Sequence, residues 1–406
     1  MLAFLGLSNI LQSLIMLSLG ILLPSIAGDL GLSSSQQGFL GSSMFIGAMI
    51  MSLPAGMWLS RLDASKVLLG SLAFGTTFVV VQAWAPNYTV LLLARLAFGF
   101  AIVARQPARA VLTAQWFPRR EIVLVNGLVN TTYGASAVIA FLLTPYLQVW
   151  LSESWRWTLT VYGMVFFVIT VVWAVVGKER KTEEPTVLPA LSGREGPGAR
   201  TPWLVLKEKD VWLVGMGMAG MLVMEFSLLT LWPTLMLQDR GIEETVSGAM
   251  LLTAAITEGI GGTTLSALLM RRVSRGMRRP IVAILVLLLV GTGMGMVMAT
   301  SAPILWTMAA LHGVGFSFVS LIWTVPFEIP GATHRQIAVA SGFIEAVGRL
   351  GGVLGPGFVG VAWEATGDLA TPMMISCFFG LTMAAAGLLL FRDNPTGRER
   401  ALRGAA

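Results

Sequence analysis

Cysteine is almost absent from this chain of 406 residues. Cys377 stands alone, which excludes an intramolecular disulfide and any cysteine-based metal cluster. Histidine is nearly as scarce: His312 and His334 are too few for a histidine-rich metal site, and neither a metal nor a cofactor is expected. Charge is the third shortage. Charged residues make up 12% of the chain, about half of the roughly 25% typical of a soluble domain. The polar skin that keeps a protein of this size dispersed in water is therefore missing. Alternating ten-residue patterns are missing too, which argues against a membrane β-barrel. No basic region precedes the first apolar stretch, and that stretch is too long for a cleaved signal peptide.

What fills the chain instead is hydrophobic, 55% of all residues. A bilayer core takes about 20 apolar residues per helix. Windows of that length predict twelve spans: 3–27, 36–60, 67–85, 88–113, 122–149, 157–177, 211–237, 246–270, 280–300, 303–326, 336–362 and 370–391. Ala85-Pro86-Asn87, Phe117-Pro118, Ala302-Pro303 and Pro330-Gly331 punctuate the junctions. The expected fold class is an all-α membrane protein of twelve transmembrane helices.

Lysine and arginine set the orientation. With the N-terminus placed in the cytoplasm, 21 of the 27 basic residues fall on the cytoplasmic side and only Arg156 and Arg240 on the other. That bias fits the positive-inside rule and puts both termini in the cytoplasm. It also explains the net charge of +6 without a nucleic-acid partner. Residues 178–210 mix seven basic and six acidic residues with several prolines and glycines, so they are expected to form a mobile cytoplasmic tether. The resulting domain order is a six-helix bundle over 1–177, a linker over 178–210, a second six-helix bundle over 211–391 and a tail over 392–406. A local echo between the halves suggests an internal repeat: Asn126-Gly127 with Asn130 four residues on from Asn126, and Ser341-Gly342 with Glu345 at the same spacing.

On these residues the chain resembles the major facilitator superfamily of secondary transporters along nearly its whole length. The layout of six helices, a basic loop and six more is the first match. The second lies between helices 2 and 3, where Gly56-Met57-Trp58-Leu59-Ser60-Arg61 keeps the glycine and arginine of the family's junction motif but has Ser60 for its aspartate. The third is Arg95-Leu96-Ala97-Phe98-Gly99 in helix 4, followed by Pro107-Ala108 and Trp116-Phe117-Pro118, a spacing similar to the branch of organic-anion, nitrate and cyanate carriers. The fourth is Gly351-Gly352-Val353-Leu354-Gly355-Pro356. The resemblance implies two pseudo-symmetric six-helix bundles around one central site worked by alternating access, with helices 1, 4, 7 and 10 lining the cavity and helices 3, 6, 9 and 12 peripheral. It also implies conformational roles for Gly56, Arg61 and Arg95, and the aspartate lost at Ser60 departs from the family's cytoplasmic latch.

Ionised side chains at the bilayer centre cost about 2.5–3.5 kcal/mol each on insertion scales, so those present face protein or water and mark pathways. Helices 3, 6, 9 and 12 contain none. Helix 4 carries Arg95, Arg105 and Arg109, which fall within an arc of about 80° at about 100° per residue. A guanidinium is a planar fork suited to carboxylate, phosphate or nitrate, so Arg105 and Arg109 are candidate substrate contacts. The competing structural readings pair Arg105 with Glu345 or Glu258, or let Arg109 snorkel to the headgroups. Asn9, Gln12, Asn130 and Tyr133 could add neutral contacts or simply hold helices together. Glu225, flanked by Met224 and Phe226 with no basic residue on its own helix, is the first candidate for a coupling-proton site. Glu258, Glu345 and His312 follow. For His312 a plain hydrogen-bonding role weighs more than a relay. Glu345 and Arg349 stand at i and i+4, where self-neutralisation weighs more than function, with Arg349 otherwise a conformational residue.

Other motifs dissolve on inspection. Gly215-Met216-Gly217-Met218-Ala219-Gly220 has no strand before it and reads as close helix packing, not a dinucleotide loop. No Walker loop, metalloprotease helix or serine triad appears, so an enzyme is not expected. The sequence is read as a monomeric secondary transporter in the plasma membrane of a bacterium or archaeon. Its partners are a small-molecule substrate, in the first place an organic or inorganic anion, the lipid bilayer, and a proton as coupling ion. The alternative is an exporter of lipophilic or cationic compounds with Glu225 as counter-ion.

Overall fold

The computed structural model describes residues 2–58, 63–117, 119–177, 202–262, 275–316, 319–323, 325–329 and 334–390. Its helices make twelve passages, with no strand among the described residues. The first half holds α1 (Leu2–Leu30), α2 (Ser34–Trp58), α3 (Ala64–Ala83), α4 (Tyr88–Trp116), α5 (Arg119–Trp150) and α6 (Trp155–Val176). The second holds α7 (Lys209–Arg240), α8 (Glu244–Ile256, continued by a π turn at Thr257–Gly262), α9 (Arg275–Met298) and α10 (Ala302–Gly315, with a further helical turn at Val319–Ile322). It ends with α11 (His334–Thr366) and α12 (Ala370–Phe379 and Leu381–Leu389, meeting at Gly380). Six of these, α1, α3, α6, α7, α9 and α12, are long and apolar enough by themselves to cross a membrane.

Local chemistry sets the helix ends. Asn87 accepts a hydrogen bond from Val90 N to open α4, and Ser154 does the same from Trp157 N for α6. Gly241 closes α7 in the left-handed conformation, φ +61°. On α6 the exposed face is Met164, Val165, Phe167, Val168, Val171, Val172, Val175 and Val176, an apolar stripe that belongs against acyl chains. The two basic residues at the end of the bundle away from the basic loops are anchored: Arg156 pairs with Asp29 at 2.9 Å, and Arg240 donates to Val297 O at 2.7 Å.

Two sequence expectations need correction. The tether does not extend to residue 210: Pro202–Lys207 forms a 3-10 helix and α7 already begins at Lys209. Val205 is buried there, and Trp212 Nε1 donates to Leu206 O at 2.8 Å, which pins the turn to the helix that follows. Helix 10 is not one continuous span over 303–326. Pro326 lacks an N–H and disfavours helical geometry at Val325 before it, so the passage ends in short turns, the last at Val325–Glu328. Residues 178–201, also read as tether, and the tail from 391 lie outside the described residues.

The halves meet through repeated geometry. Pro24 in α1 and Pro233 in α7 lie 209 residues apart, and Pro145 in α5 and Pro356 in α11 lie 211 apart. At the α2–α11 interface a Cβ on Gly38 would stand 2.4 Å from Pro356 O; at the α5–α8 interface a Cβ on Gly248 would stand 2.6 Å from Pro145 Cγ. Both are glycine-on-proline seats, and at the α2–α11 seat Ser42 Oγ also donates to Val353 O at 2.6 Å. They lie toward the end that carries the α1–α2 connection, opposite the basic loops.

Candidate functional site

Arg105 is buried on α4 and turned toward α1. Its Nη1 donates to the backbone carbonyl of Ser8, and its Nη2 reaches Asn9 Oδ1 at 3.5 Å. Asn9 is fixed in turn by donating from Nδ2 to Thr132 Oγ1 of α5 at 2.9 Å. The neighbouring charge that Arg105 feels is another cation, Arg109, one turn further along. Among its hydrogen bonds and ion pairs at described residues there is no carboxylate. Gln12 and Arg105 both line a small internal cavity with Ser71, Phe98 and Ala101, with room for about one water, and Gln12 Oε1 is buried there without a hydrogen-bond partner. A buried guanidinium held only by a carbonyl and an amide keeps most of its desolvation cost uncompensated. An anion is what would offset it.

Arg109 is half-buried and faces α11 of the other half, where Glu345 lies within electrostatic reach. Glu345 also binds Arg349 Nη2 at 2.5 Å, one turn along its own helix. One carboxylate thus serves two guanidiniums, while Arg105 has none among the described residues. The side-chain positions of Asn130 and Tyr133 on α5 lie outside the described residues, as does Arg61; Gly56 is placed only as part of α2.

The acidic candidates gather in the second half. Glu225 Oε2 meets His312 Nε2 at 3.2 Å, joining α7 to α10. On the far side of the ring, His312 Nδ1 lies 3.2 Å from both Leu289 O and Thr292 Oγ1 of α9. A carbonyl can only accept, so the Leu289 contact places a proton on Nδ1 and leaves Nε2 to accept from a protonated Glu225 or, as imidazolium, to donate to its carboxylate. Glu258 sits within the π turn that ends α8 and lies within electrostatic range of Glu225. The structural alternative for Glu225 from the sequence is a cross-helix arginine; the partner in the structure is a histidine on another helix.

Arg95 occupies a different kind of place. Its Nε donates to Leu40 O and its Nη1 to Gln82 Oε1, each at 3.2 Å, while a Cβ on Gly99 would stand 2.2 Å from Met44 O. The Arg95-x-x-x-Gly99 signature clamps α4 onto α2 and α3 within one half. The Gly351–Pro356 motif does reach both ways. Cβ atoms on Gly351 and Gly355 would strike Ala219 O and Val223 O of α7, while one on Gly352 would strike the Phe45 ring of α2. Phe45 also packs on Phe226 of α7 with ring centroids 4.3 Å apart. This aromatic pair closes the halves together at the residue next to Glu225. Sequence reading missed it, and only the adjacency of Phe226 to Glu225 hinted at it.

The Major Facilitator Superfamily model matches residues 5–356. The chain belongs to this superfamily. Its similarity to individual members is distant but long. It is 24% identical over 401 residues to the "Hexuronate transporter" of Bacillus subtilis (strain 168), covering 96% of this chain and 91% of that one. It is 23% identical to the "Probable galactarate/D-glucarate transporter GarP" of Escherichia coli (strain K12), covering 82% and 81%. It is 24% identical to the "Probable sulfoacetate transporter SauU" of Cupriavidus necator, covering 92% and 88%. Among solved structures, a bacterial homologue of the human lysosomal transporter Spinster, in an inward-facing and occupied conformation, superposes with a TM-score of 0.80 at 15% identity, over 96% of this chain and 95% of that one. The superfamily member is thus an integral, multi-pass membrane protein, and the relatives named here are transporters, not enzymes.

Proposed function

We propose that this protein carries a small organic anion across the membrane by alternating access, in symport with protons. The observation that carries the reading is Arg105: a buried cation with a second guanidinium one turn away and, among the described residues, only neutral hydrogen-bond partners. The substrate's carboxylate or sulfonate supplies the missing charge at Arg105 and Arg109, and Asn9 and Gln12 present neutral donors and acceptors beside it. The relatives named for hexuronate, galactarate or glucarate, and sulfoacetate all handle acids, which supports the class without choosing a member. The 21-to-2 distribution of basic residues supports cytoplasmic termini, and the bacterial sources of the relatives named above support a bacterial or archaeal plasma membrane. We read the protein as a monomer whose two bundles rock about the central site.

Proton coupling rests on Glu225 and His312. Moving a monoanion inward against an inside-negative potential costs about 2.3 kcal/mol per 100 mV. One co-transported proton cancels that term, and a carboxylate–imidazole pair in a dry interior can hold and release it. The rival reading, export of a lipophilic cation, draws on the proximity of Glu225 and Glu258. A thermal-shift screen of purified protein decides between them: hexuronate, aldarate and sulfoacetate stabilise the native protein and leave Arg105→Ala unmoved. Equal stabilisation of both proteins by these acids removes the anion reading, and stabilisation by lipophilic cations instead installs its rival.

A further inference from the structure

We propose that Glu244 and Glu364, two carboxylates of the second half, form the outer gate of the transport cycle by holding polar groups of the first half. The proposal rests on the alternating-access reading and names which contacts must break when the end away from the basic loops opens.

Glu364 lies at the end of α11. Its Oε2 accepts from Ser33 Oγ and from Ser35 N, both at 2.8 Å. Ser35 belongs to the first turn of α2, whose amides have no partner within the helix and carry the positive end of its dipole. Ser33 is already the local cap: Gln36 N donates to its hydroxyl at 3.4 Å, and Gln36 Oε1 accepts from Ser33 N at 3.0 Å. A carboxylate from the opposite half thus completes the helix start. Glu244 opens α8 and accepts from Ser25 Oγ of α1 at 3.3 Å, while Gln148 of α5 donates to the same hydroxyl.

The positions are related. Glu364 stands over the Gly38–Pro356 seat at the α2–α11 interface, and Glu244 over the Gly248–Pro145 seat at the α5–α8 interface. The pseudo-twofold that exchanges the halves exchanges these interfaces. Each therefore has a related build: a close approach to a proline that only glycine permits, to the Pro356 carbonyl at Gly38 and to the Pro145 ring at Gly248, with a carboxylate latch on the outer side. The seats let the helices touch and contribute packing. The latches add charge-assisted hydrogen bonds that exist only while the halves touch, so they bias the closed state.

The test uses full-length protein in vesicles of known orientation, with Cys377→Ser as background and two reporters. Thr230→Cys lies at the sealed α2–α7 contact beside Gly41; Gly342→Cys is exposed, on the same face of α11 as Glu345. Removing either latch with Glu364→Ala or Glu244→Ala raises labelling of Thr230→Cys by an impermeant maleimide from the outer side about two- to fivefold, the population change expected on losing one anion at a helix start. Labelling of Gly342→Cys from the basic side falls in the same variants, and Glu364→Gln, which keeps an acceptor, is intermediate. Unchanged labelling in the double variant while transport continues overturns the gate. A joint rise at both reporters signals loosening of the fold and also overturns it. If transport runs in the native protein without either reporter responding to substrate, alternating access itself fails.

Discussion

The two halves solve the same geometric problem with opposite charges. In the first, α4 reaches across to α1 through Arg105, which finds a carbonyl and an amide. In the second, the corresponding helix α10 reaches across to α7 through His312, which finds Glu225. Arg105 and His312 are 207 residues apart, close to the spacing of the paired prolines. The repeat thus places a nitrogen base at matching points in both bundles, and the partner decides what it can do. A guanidinium without a carboxylate leaves room for an anion from outside. An imidazole already bonded to a carboxylate is closed to anions but open to a proton. On the proposed reading, the difference gives binding to one half and coupling to the other.

The largest expected effect comes from exchanging the charge in the first half. Arg105→Met should lower substrate affinity by at least about 30-fold, since losing one member of a buried charged hydrogen-bonded pair costs about 2–5 kcal/mol. Arg105→Lys should recover part of the binding but lose discrimination between planar carboxylate and tetrahedral anions, because an ammonium is a point charge and not a fork. Equilibrium binding of labelled acid reads both. Full affinity in Arg105→Met would place the anion elsewhere.

Breaking the second half should leave binding and remove coupling. Glu225→Gln keeps a hydrogen-bond partner for His312 but cannot ionise. Exchange of substrate across the membrane should persist while proton uptake on substrate addition disappears, and accumulation against a gradient should fall about tenfold or more with the driving proton lost. Proton uptake that continues unchanged moves the coupling site to Glu258 or Glu345.

A control from the same helix separates binding from support. Arg95→Ala removes two buried hydrogen bonds between α4, α2 and α3, a loss of about 2–3 kcal/mol in stability. It should lower Tm while leaving the ligand-induced rise in Tm intact. The three arginines of α4 look alike as letters and fall within one arc. The sequence set Arg95 apart from Arg105 and Arg109, but not the contacts that hold Arg95 and Arg105, since the backbone carbonyls of Leu40 and Ser8 among them carry no sequence signal. By contrast, the twelve spans were legible from hydrophobic length alone, since lipid demands about 20 apolar residues whatever their order. The pairing of Glu225 with His312 lay between: both residues stood out as buried titratable groups, but 87 positions separate them and only the fold brings them together. Helix 10 and the short tether show the limit from the other side, where Pro326 and the buried Val205 override the apolar average and the polar composition around them.

The smallest effect has the opposite sign. Glu345 is half-exposed, binds Arg349, and faces Arg109 across the gap between the halves. In that position it competes with the anion for Arg109. Glu345→Gln should therefore tighten substrate binding by about two- to threefold, the scale of an exposed ion pair, and the gain should fade in high salt as screening erases the competition. Titrations of labelled acid at low and high ionic strength measure it. A weakening instead would mean that Glu345 holds Arg109 in its binding pose, and the contrast between the halves would then include a carboxylate lent by the second to the first.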